Sequence, residues 1–373
     1  YLKLLEKLEE LPLELVAEIL RLSEDLDWKG ELPFRWSLQK MLHQGIQPKR
    51  VIGEAGALLY ELGKPEKTKP LVPQEVIKPL DAELLAEALQ PGGEFDKHFP
   101  EFEHRSQQVQ MLQAVAQALS EGKHLMVEAG TGIGKSLAYL IPAAHWALQN
   151  GERVVISTNT IALQDQLIHK DIPDMMTALN LQINASVLKG RGNYLCPRRL
   201  TLMRRRKLEN VDELRVLAKV LVWLQSSTSG DRNEINLNGS AESLVWSRLS
   251  AEDEGCKLEV CLKRTGGRCP FYKARMAAES AHILVVNHAL LLADTAAENR
   301  ILPEYNYLIV DEAHHLESAT TDAMSFRLRA PDVTRLVREI GSTEQGILDQ
   351  LLSLAKPLLK PSDLSTLTIA IER

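Results

Sequence analysis

Cysteine is scarce in this chain: four residues in 373, at Cys196, Cys256, Cys261 and Cys269. A disulfide-stapled scaffold is excluded, and a chain of this length can bury a sizeable core without one. Aromatic residues are few as well, at 5%, which leaves aliphatic side chains to fill the interior. No uninterrupted apolar run is long enough to span a bilayer, and no charged, apolar and small-residue leader is visible. The expected compartment is therefore the reducing cytoplasm, with no membrane partner. Positive charge is not in excess: 44 Lys and Arg stand against 50 Asp and Glu, a net charge of −6. Wholesale coating of a polyanion is excluded, so nucleic acid would have to meet a local basic face. No internal repeat is present. What remains is ordinary globular composition, 45% apolar and 25% charged, sufficient for about two to three domains.

Residues Glu128-Ala129-Gly130-Thr131-Gly132-Ile133-Gly134-Lys135-Ser136 follow the apolar run Leu125-Met126-Val127. The pattern predicts a strand, a glycine-rich loop and a helix opening at Lys135. Such a loop turns several backbone N–H groups inward at a helix N-terminus and makes an anion site. Lys135 then reaches the β- and γ-phosphates of ATP, and the Ser136 hydroxyl is placed to ligate Mg²⁺. Ala129 replaces the first glycine of the usual pattern and is small enough to serve. Far downstream, Tyr307-Leu308-Ile309-Val310 reads as a short strand ending in Asp311-Glu312-Ala313-His314. Asp311 suits the Mg²⁺ shell and Glu312 the orientation of the attacking water, while His314 would couple the site to a neighbouring element. The two patterns in this order predict nucleotide hydrolysis.

All four cysteines fall between these halves, with Cys196 well upstream of the other three. Four thiolates in a reducing compartment suggest a metal site. Tetrahedral zinc is one occupant, although structural zinc sites usually show two close Cys pairs. One distant ligand with a group of three suits a Cys-ligated iron–sulfur cluster better.

With the phosphate loop, the intervening cysteines and Asp311-Glu312-Ala313-His314, the chain resembles the XPD/DinG family of superfamily 2 DNA helicases, the DinG branch in particular. Further residues carry the resemblance: Lys189-Gly190-Arg191-Gly192-Asn193-Tyr194-Leu195-Cys196, Ser157-Thr158-Asn159-Thr160 with Gln164 and Gln166, and Val285-Val286-Asn287-His288. The resemblance implies a [4Fe–4S] cluster, ATP-driven translocation on single-stranded DNA and unwinding with 5′ to 3′ polarity, in DNA repair or at replication conflicts. Forked or R-loop DNA would be the substrate and a monomer the working form. It also implies nucleotide contacts from Arg105 and Gln108, and DNA contacts from Thr158, Asn159, Thr160 and Gln164.

Local positive charge exists. Between Lys189 and Lys207 stand eight basic residues (Lys189, Arg191, Arg198, Arg199, Arg204, Arg205, Arg206, Lys207) and no acidic one. Tyr194 lies among them and could stack on a base. Lys189, Arg191, Tyr194, Arg198 and Arg199 are the expected DNA-contacting set, with a solvated helix face as the plainer alternative.

Along the chain, residues 1–62 show helical, amphipathic periodicity, with Pro12 at a helix start and Leu13, Val16, Ile19 and Leu20 on one face. Pro65, Pro70, Pro73 and Pro79 mark residues 63–94 as a linker. Strand patterns at Leu125–Glu128, Val154–Ser157, Ala185–Leu188, Ile283–Val286 and Leu308–Val310 alternate with helices. They predict an α/β fold, a parallel sheet flanked by helices: a RecA-like lobe over 95–189 and 281–317. Residues 190–280 form the cysteine-bearing insertion. The helical stretch 318–373 is, by resemblance, the start of an arch domain.

The chain opens at Tyr1 rather than Met, and no second RecA-like pattern follows. The expectation is a helicase fragment without the arginine finger of a second lobe, a contribution worth about 10³- to 10⁵-fold in such motors. Two alternatives stand beside a helicase: a helicase–nuclease whose nuclease lies upstream, and an ATP-regulated DNA clamp or adaptor that does not unwind.

Overall fold

The computed structural model describes residues 2–46, 69–130, 132–252, 256, 261, 265, 267–323, 325, 330, 333–334, 337, 340–343 and 346–372. They divide into two units, Tyr1–Thr320 and Thr321–Arg373.

The first unit is built on a four-stranded parallel sheet with strand order β2-β3-β1-β4. Its strands are β1 (Val154–Thr158), β2 (Ala185–Val187), β3 (Ile283–Asn287) and β4 (Tyr307–Val310). Val154 pairs with both Ile283 and Tyr307, so β1 and β3 form the middle of the sheet. Both are rich in β-branched residues and nearly continuous in apolar character, as a strand covered on two faces must be. Val154, Val155, Ile156, Ile283, Leu284 and Val285 are fully buried. On one face pack α6 (Ser106–Glu121) and α7 (Lys135–Asn150), with Leu112, Leu140, Ile141 and Trp146 in a common core with Val154 and Ile156. A parallel sheet flanked by helices is the arrangement of a RecA-like lobe.

The first expected strand is a correction. Leu125–Glu128 pairs with no described strand, and Leu125, Met126 and Val127 are 46%, 98% and 42% exposed. Leu125–Gly130 and Leu308–His314 instead line one cavity of about 840 Å³. Strand propensity cannot act without a partner edge to satisfy the backbone.

The linker expectation also changes. Among its described residues, α4 (Ala82–Glu87) and α5 (Glu94–His98) place Leu85, Leu89 and Phe95 in the main core. The proline-marked stretch ahead of them is tied to the end of α7. Asn150 Oδ1 accepts from the Lys78 N–H at 2.8 Å, and the Asn150 carbonyl accepts from the Gln74 N–H at 2.8 Å. Gly151 makes the turn there at φ +66°, and any Cβ would strike the Val72 carbonyl. Prolines remove donors, so the N–H groups of Gln74 and Lys78 make this anchoring, and the Lys78 carbonyl accepts in return from Asn150 Nδ2 at 3.2 Å. Pro65 lies outside the described residues.

The N-terminal helices are not a separate body. Leu15, Ile19 and Leu22 of α2 (Leu13–Ser23) share one core with Leu195, Leu200, Met203, Leu217, Leu221 and Trp246 of the insertion. That core lies among α10 (Pro197–Arg205), α11 (Val211–Trp223) and α12 (Gly239–Leu249). Residues 47–62 of the expected connector fall outside the described set. In the second unit, the helices Gly346–Ala355 and Pro361–Glu372 contact each other. Other parts of the expected arch lie outside the described residues, and among those described no helix is long and apolar enough to cross a membrane.

Candidate nucleotide site and cysteine centre

Gly134 ends the phosphate loop in the left-handed region, φ +81°, and α7 begins at the next residue. A side chain there would be strained and would run into Gln108. Gln108 is buried, and its Nε2 donates to the Gly134 carbonyl at 2.8 Å. Gln108 thus braces the loop from below instead of pointing at a ligand. Arg105, at the N-cap of α6, pairs with Glu103 at 2.8 Å. Ala129, Gly130, Gly132 and Ile133 form the loop leading to Lys135; Thr131 lies outside the described residues.

Parallel pairing of β4 with β1 brings the second motif to the loop. The Asp311 N–H donates to the Ser157 carbonyl at 2.8 Å, extending the ladder to the strand end. Asp311 Oδ2 accepts from the Tyr139 hydroxyl at 3.1 Å, and Oδ1 accepts from the Glu312 N–H at 3.0 Å. Lys135 Nζ stands 3.5 Å from Glu312 Oε1. Residues 177 apart in sequence therefore face each other. Glu312 is left-handed, φ 56° and ψ 40°, an uncommon state for a non-glycine residue and one that clusters at functional sites. His314 Nε2 lies 3.4 Å from Glu312 Oε2 and is largely exposed.

Ser136 is the second residue of α7, one turn ahead of Tyr139. Burial, then the charge of Asp311, pushes the Tyr139 phenol well above its ordinary range, so it stays a donor. Burial likewise raises the Asp171 carboxyl. Under the strand ends, Ser157 Oγ and His288 Nδ1 lie 2.7 Å apart in the buried interior. Desolvation lowers the His288 pKa, which keeps the ring neutral. His288 ends the Val285-Val286-Asn287-His288 stretch that carries the resemblance, and the fold sets it under the strand ends beside Ser157.

Cys269 lies within electrostatic range of Cys196, Cys256 and Cys261. Cys196 and Cys269 each cap a helix whose first residue is proline, Pro197 of α10 and Pro270 of α13 (Pro270–Glu279). Pro fits N1 because that N–H has no partner anyway, and both sulfurs then sit at the positive end of a helix. Cys196, Cys261 and Cys269 are buried, and Cys256 is half-buried. Burial first, then the proximity of Cys256 and Cys196, pushes the Cys261 thiol up to about 11. Cys269 is pushed up to about 12, mainly by burial. Arg198 acts in the opposite sense on Cys261. Among the described residues, the trio of possible metal donors within 4.8 Å of one another is Glu312, His314 and His315, not a set of cysteines.

Several expected DNA contacts are corrected by burial. Lys189 is 2% exposed and pairs with Asp231 at 2.6 Å and Asp165 at 3.1 Å. Tyr194 is 3% exposed, its hydroxyl accepts from the Lys189 N–H, and its ring packs on Phe271. Neither has a face for a base. Thr158 and Gln164 are fully buried. Thr160 caps the helix α8 (Ile161–Gln166), accepting from the Leu163 N–H. Arg199 donates to the carbonyls of Ser247, Ser250 and Glu252. Arg204 pairs with Glu18, Arg206 with Glu209 and Glu213, and Lys207 with Asp25. The basic run thus mostly cross-links the insertion, because a charge at a helix–helix contact needs a partner to be buried. Arg191 and Asn159 retain access to solvent, Arg191 lying over the Phe271 ring.

Comparisons with known proteins agree with this geometry. A family model described as DEAD/DEAH box helicase matches residues 107–209, and one described as DEAD_2 matches residues 249–333. The chain is 30% identical over 370 residues to the 3'-5' exonuclease DinG of Bacillus subtilis, covering 97% of this chain and 38% of that protein. It is 37% identical over 254 residues to the ATP-dependent helicase DinG of Mycobacterium tuberculosis, covering 63% of this chain and 38% of the relative. Against the ATP-dependent DNA helicase YoaA of Escherichia coli it is 35% identical over 264 residues, 67% of this chain and 39% of that protein. The chain thus spans about two fifths of the length of these relatives, 38% to 39%.

Proposed function

This chain belongs to the DinG-like helicase family, and from that premise we propose that it carries the ATP-binding lobe of an ATP-dependent DNA helicase. The facing of Lys135 and Glu312 across the phosphate loop carries the reading. Lys135 neutralises the β- and γ-phosphates, and the loop amides hold them at the start of α7. Lys135 faces Glu312 at 3.5 Å; a bound phosphate would share the lysine's charge and leave the carboxylate to orient water. Ser136 and Asp311 are the oxygen donors that would hold Mg²⁺, which supplies charge neutralisation on the phosphates. His314, beside Glu312, is the contact to a neighbouring element.

Cys196, Cys256, Cys261 and Cys269 would hold a [4Fe–4S] cluster. A single tetrahedral zinc needs sulfurs roughly 4 Å apart, from Zn–S bonds of about 2.3 Å. Among the described residues no three of these sulfurs lie within 4.8 Å of one another, wider than a single zinc needs. A cluster held there would tie together the starts of α10 and α13, where Cys196 and Cys269 stand. The substrate is single-stranded DNA next to a duplex, in forked or R-loop form, tracked 5′ to 3′ by a monomer in the cytoplasm during repair or replication conflicts. Asn159, Thr160, Arg191 and Arg198 remain the DNA-facing candidates.

ATP hydrolysis with and without single-stranded DNA tests the reading. In the full-length protein DNA should raise turnover, and Glu312→Gln should bind ATP yet turn over at background. This single lobe alone should hydrolyse ATP weakly or not at all. Normal turnover by Glu312→Gln would remove the assignment. A helicase–nuclease is the second reading, favoured by the name of the Bacillus subtilis relative. Metal-dependent shortening of 3′ ends would distinguish it from strand separation alone.

A further inference from the structure

Lys189 stands where the chain leaves the sheet for the cysteine insertion, and its ammonium is buried between the two. The side chain is 3% exposed, and Nζ meets Asp231 Oδ2 at 2.6 Å and Asp165 Oδ1 at 3.1 Å. Asp231 belongs to the insertion. Its backbone bridges Tyr194, and the Leu195 N–H donates to the adjoining Gly230 carbonyl at 3.0 Å, one residue short of Cys196. Asp165 belongs to α8, the short helix capped by Thr160. A second link runs beside the lysine: Asn233 Nδ2 donates to Asp165 Oδ2 at 3.1 Å, while the Asn233 N–H donates to Asp231 Oδ1 at 3.0 Å. Beyond α8 the chain makes a π-helical turn, Leu167–Asp171, with Gln166 Nε2 on Asp171 Oδ2 at 3.2 Å. It then enters α9 (Ile172–Ala178), whose Ile172 and Met175 lie in the main core. The far end of α8 is thus anchored to the lobe, and Asp165 anchors it to the insertion.

Resting on the reading above that Asn159 and Thr160 face DNA, we infer that Lys189 and Asp165 are positioning residues that set the start of α8 against single-stranded DNA by tying it to the cysteine insertion. Thr160 is exposed and Asn159 half-buried at that start, and the Thr158 hydroxyl donates to the Thr160 carbonyl at 3.3 Å. A buried ion pair adds little net stability, because desolvation offsets the attraction; its best-attested use is to fix register. Apolar surfaces can slide past one another, whereas an ammonium held by carboxylates from two elements cannot shift without losing one. Lys189 has no accessible surface to offer a phosphate. Asp165 is acidic, so near DNA its charge would only repel, and neutralising it should by electrostatics alone tighten binding. Weaker binding on neutralising Asp165 therefore reports position, not charge.

Fluorescence anisotropy of a labelled single-stranded oligonucleotide, measured with the full-length protein across a salt series, tests the assignment. Asp165→Asn keeps the side-chain shape and should weaken DNA binding about 2- to 30-fold, the span of couplings through such networks, with ATP affinity unchanged. Lys189→Met should weaken DNA binding by a similar factor and leave the salt slope as it was. Combined in one protein, the two changes should cost no more than either alone, because they break one link. Should Lys189→Met lose its melting transition, the Asn variant alone decides. Unchanged or tighter DNA binding by folded Asp165→Asn would overturn the assignment, as would a parallel loss of ATP affinity. So would a slope lowered by about 0.7 in Lys189→Met, which would make that lysine a phosphate contact. If the unsubstituted protein failed to hold the oligonucleotide, the DNA-facing reading itself would fall, and this assignment with it.

Discussion

Glu18 and Arg204 meet as a buried ion pair, Oε1 to Nε at 2.9 Å, although 186 residues separate them. Burial works to raise the Glu18 pKa, but hydrogen bonding from Arg21 and the charge of Arg204 outweigh it, and the carboxyl stays low. Arg21 also donates to the Arg204 carbonyl at 2.9 Å. The pair joins the N-terminal helices to the helix that begins at Cys196, so the cysteine centre and the N-terminus form one mechanical body.

Removing one member of that pair is expected to be costly. Arg204→Leu should destabilise the protein by about 3 kcal/mol, because Glu18 is left buried with only Arg21. Combining it with Glu18→Met should recover part of the loss. Urea unfolding measures both, and additive effects would argue against a coupled pair.

The cysteine centre predicts a coloured protein. Anaerobic preparation should give broad absorption near ~400 nm with about four iron and four sulfide per chain. Any single Cys→Ser change should bleach it and loosen the helices from 197 to 249, with less effect on ATP binding. A colourless protein with one tightly held zinc would contradict the cluster.

The basic run should split into structural and DNA-facing members. Arg199→Ala orphans three carbonyls and should cost about 2–3 kcal/mol of stability, with little change in the salt dependence of DNA binding. Arg191→Ala should instead lower the salt slope by about 0.7. Equal slopes in both variants would return Arg191 to the solvated surface.

Acid should destabilise the fold in two stages. Desolvation lowers the pKa of His145, His282 and His288 below their ordinary 6.5. The unfolded chain then binds more protons, so stability falls as pH drops through about 6.5 toward the folded values. Glu18 and Glu213 are lowered from 4.5, and their contribution is lost further down, below about 4.5. Melting temperature against pH should show the first decline shallower in His288→Asn.

The legible parts were those set by local pattern. Glycines, Lys135 and Asp311-Glu312 specify their own turns, and β1, β3 and β4 announce themselves as branched apolar runs. Leu125–Glu128 reads equally well as a strand, yet pairing is non-local and no described edge reaches it. Lys189 and Tyr194 sit in a basic, aromatic run, but Asp165 and Asp231, distant in sequence, turn them inward. Gln166 and Asp171 meet because a π turn brings side chains five residues apart together, which no motif announces. Charge patterns show which groups need partners; only the fold shows which partners they find.

Lys135 and Glu312 face each other across the phosphate loop, the arrangement on which the nucleotide-site reading rests. Equilibrium binding of ATP with Mg²⁺ to the unsubstituted chain, Lys135→Ala and Glu312→Gln tests it most directly. The account predicts binding by the first and third, and at least tenfold weaker binding by Lys135→Ala, about 1.4 kcal/mol or more. Equal affinity in Lys135→Ala and the unsubstituted chain would contradict it.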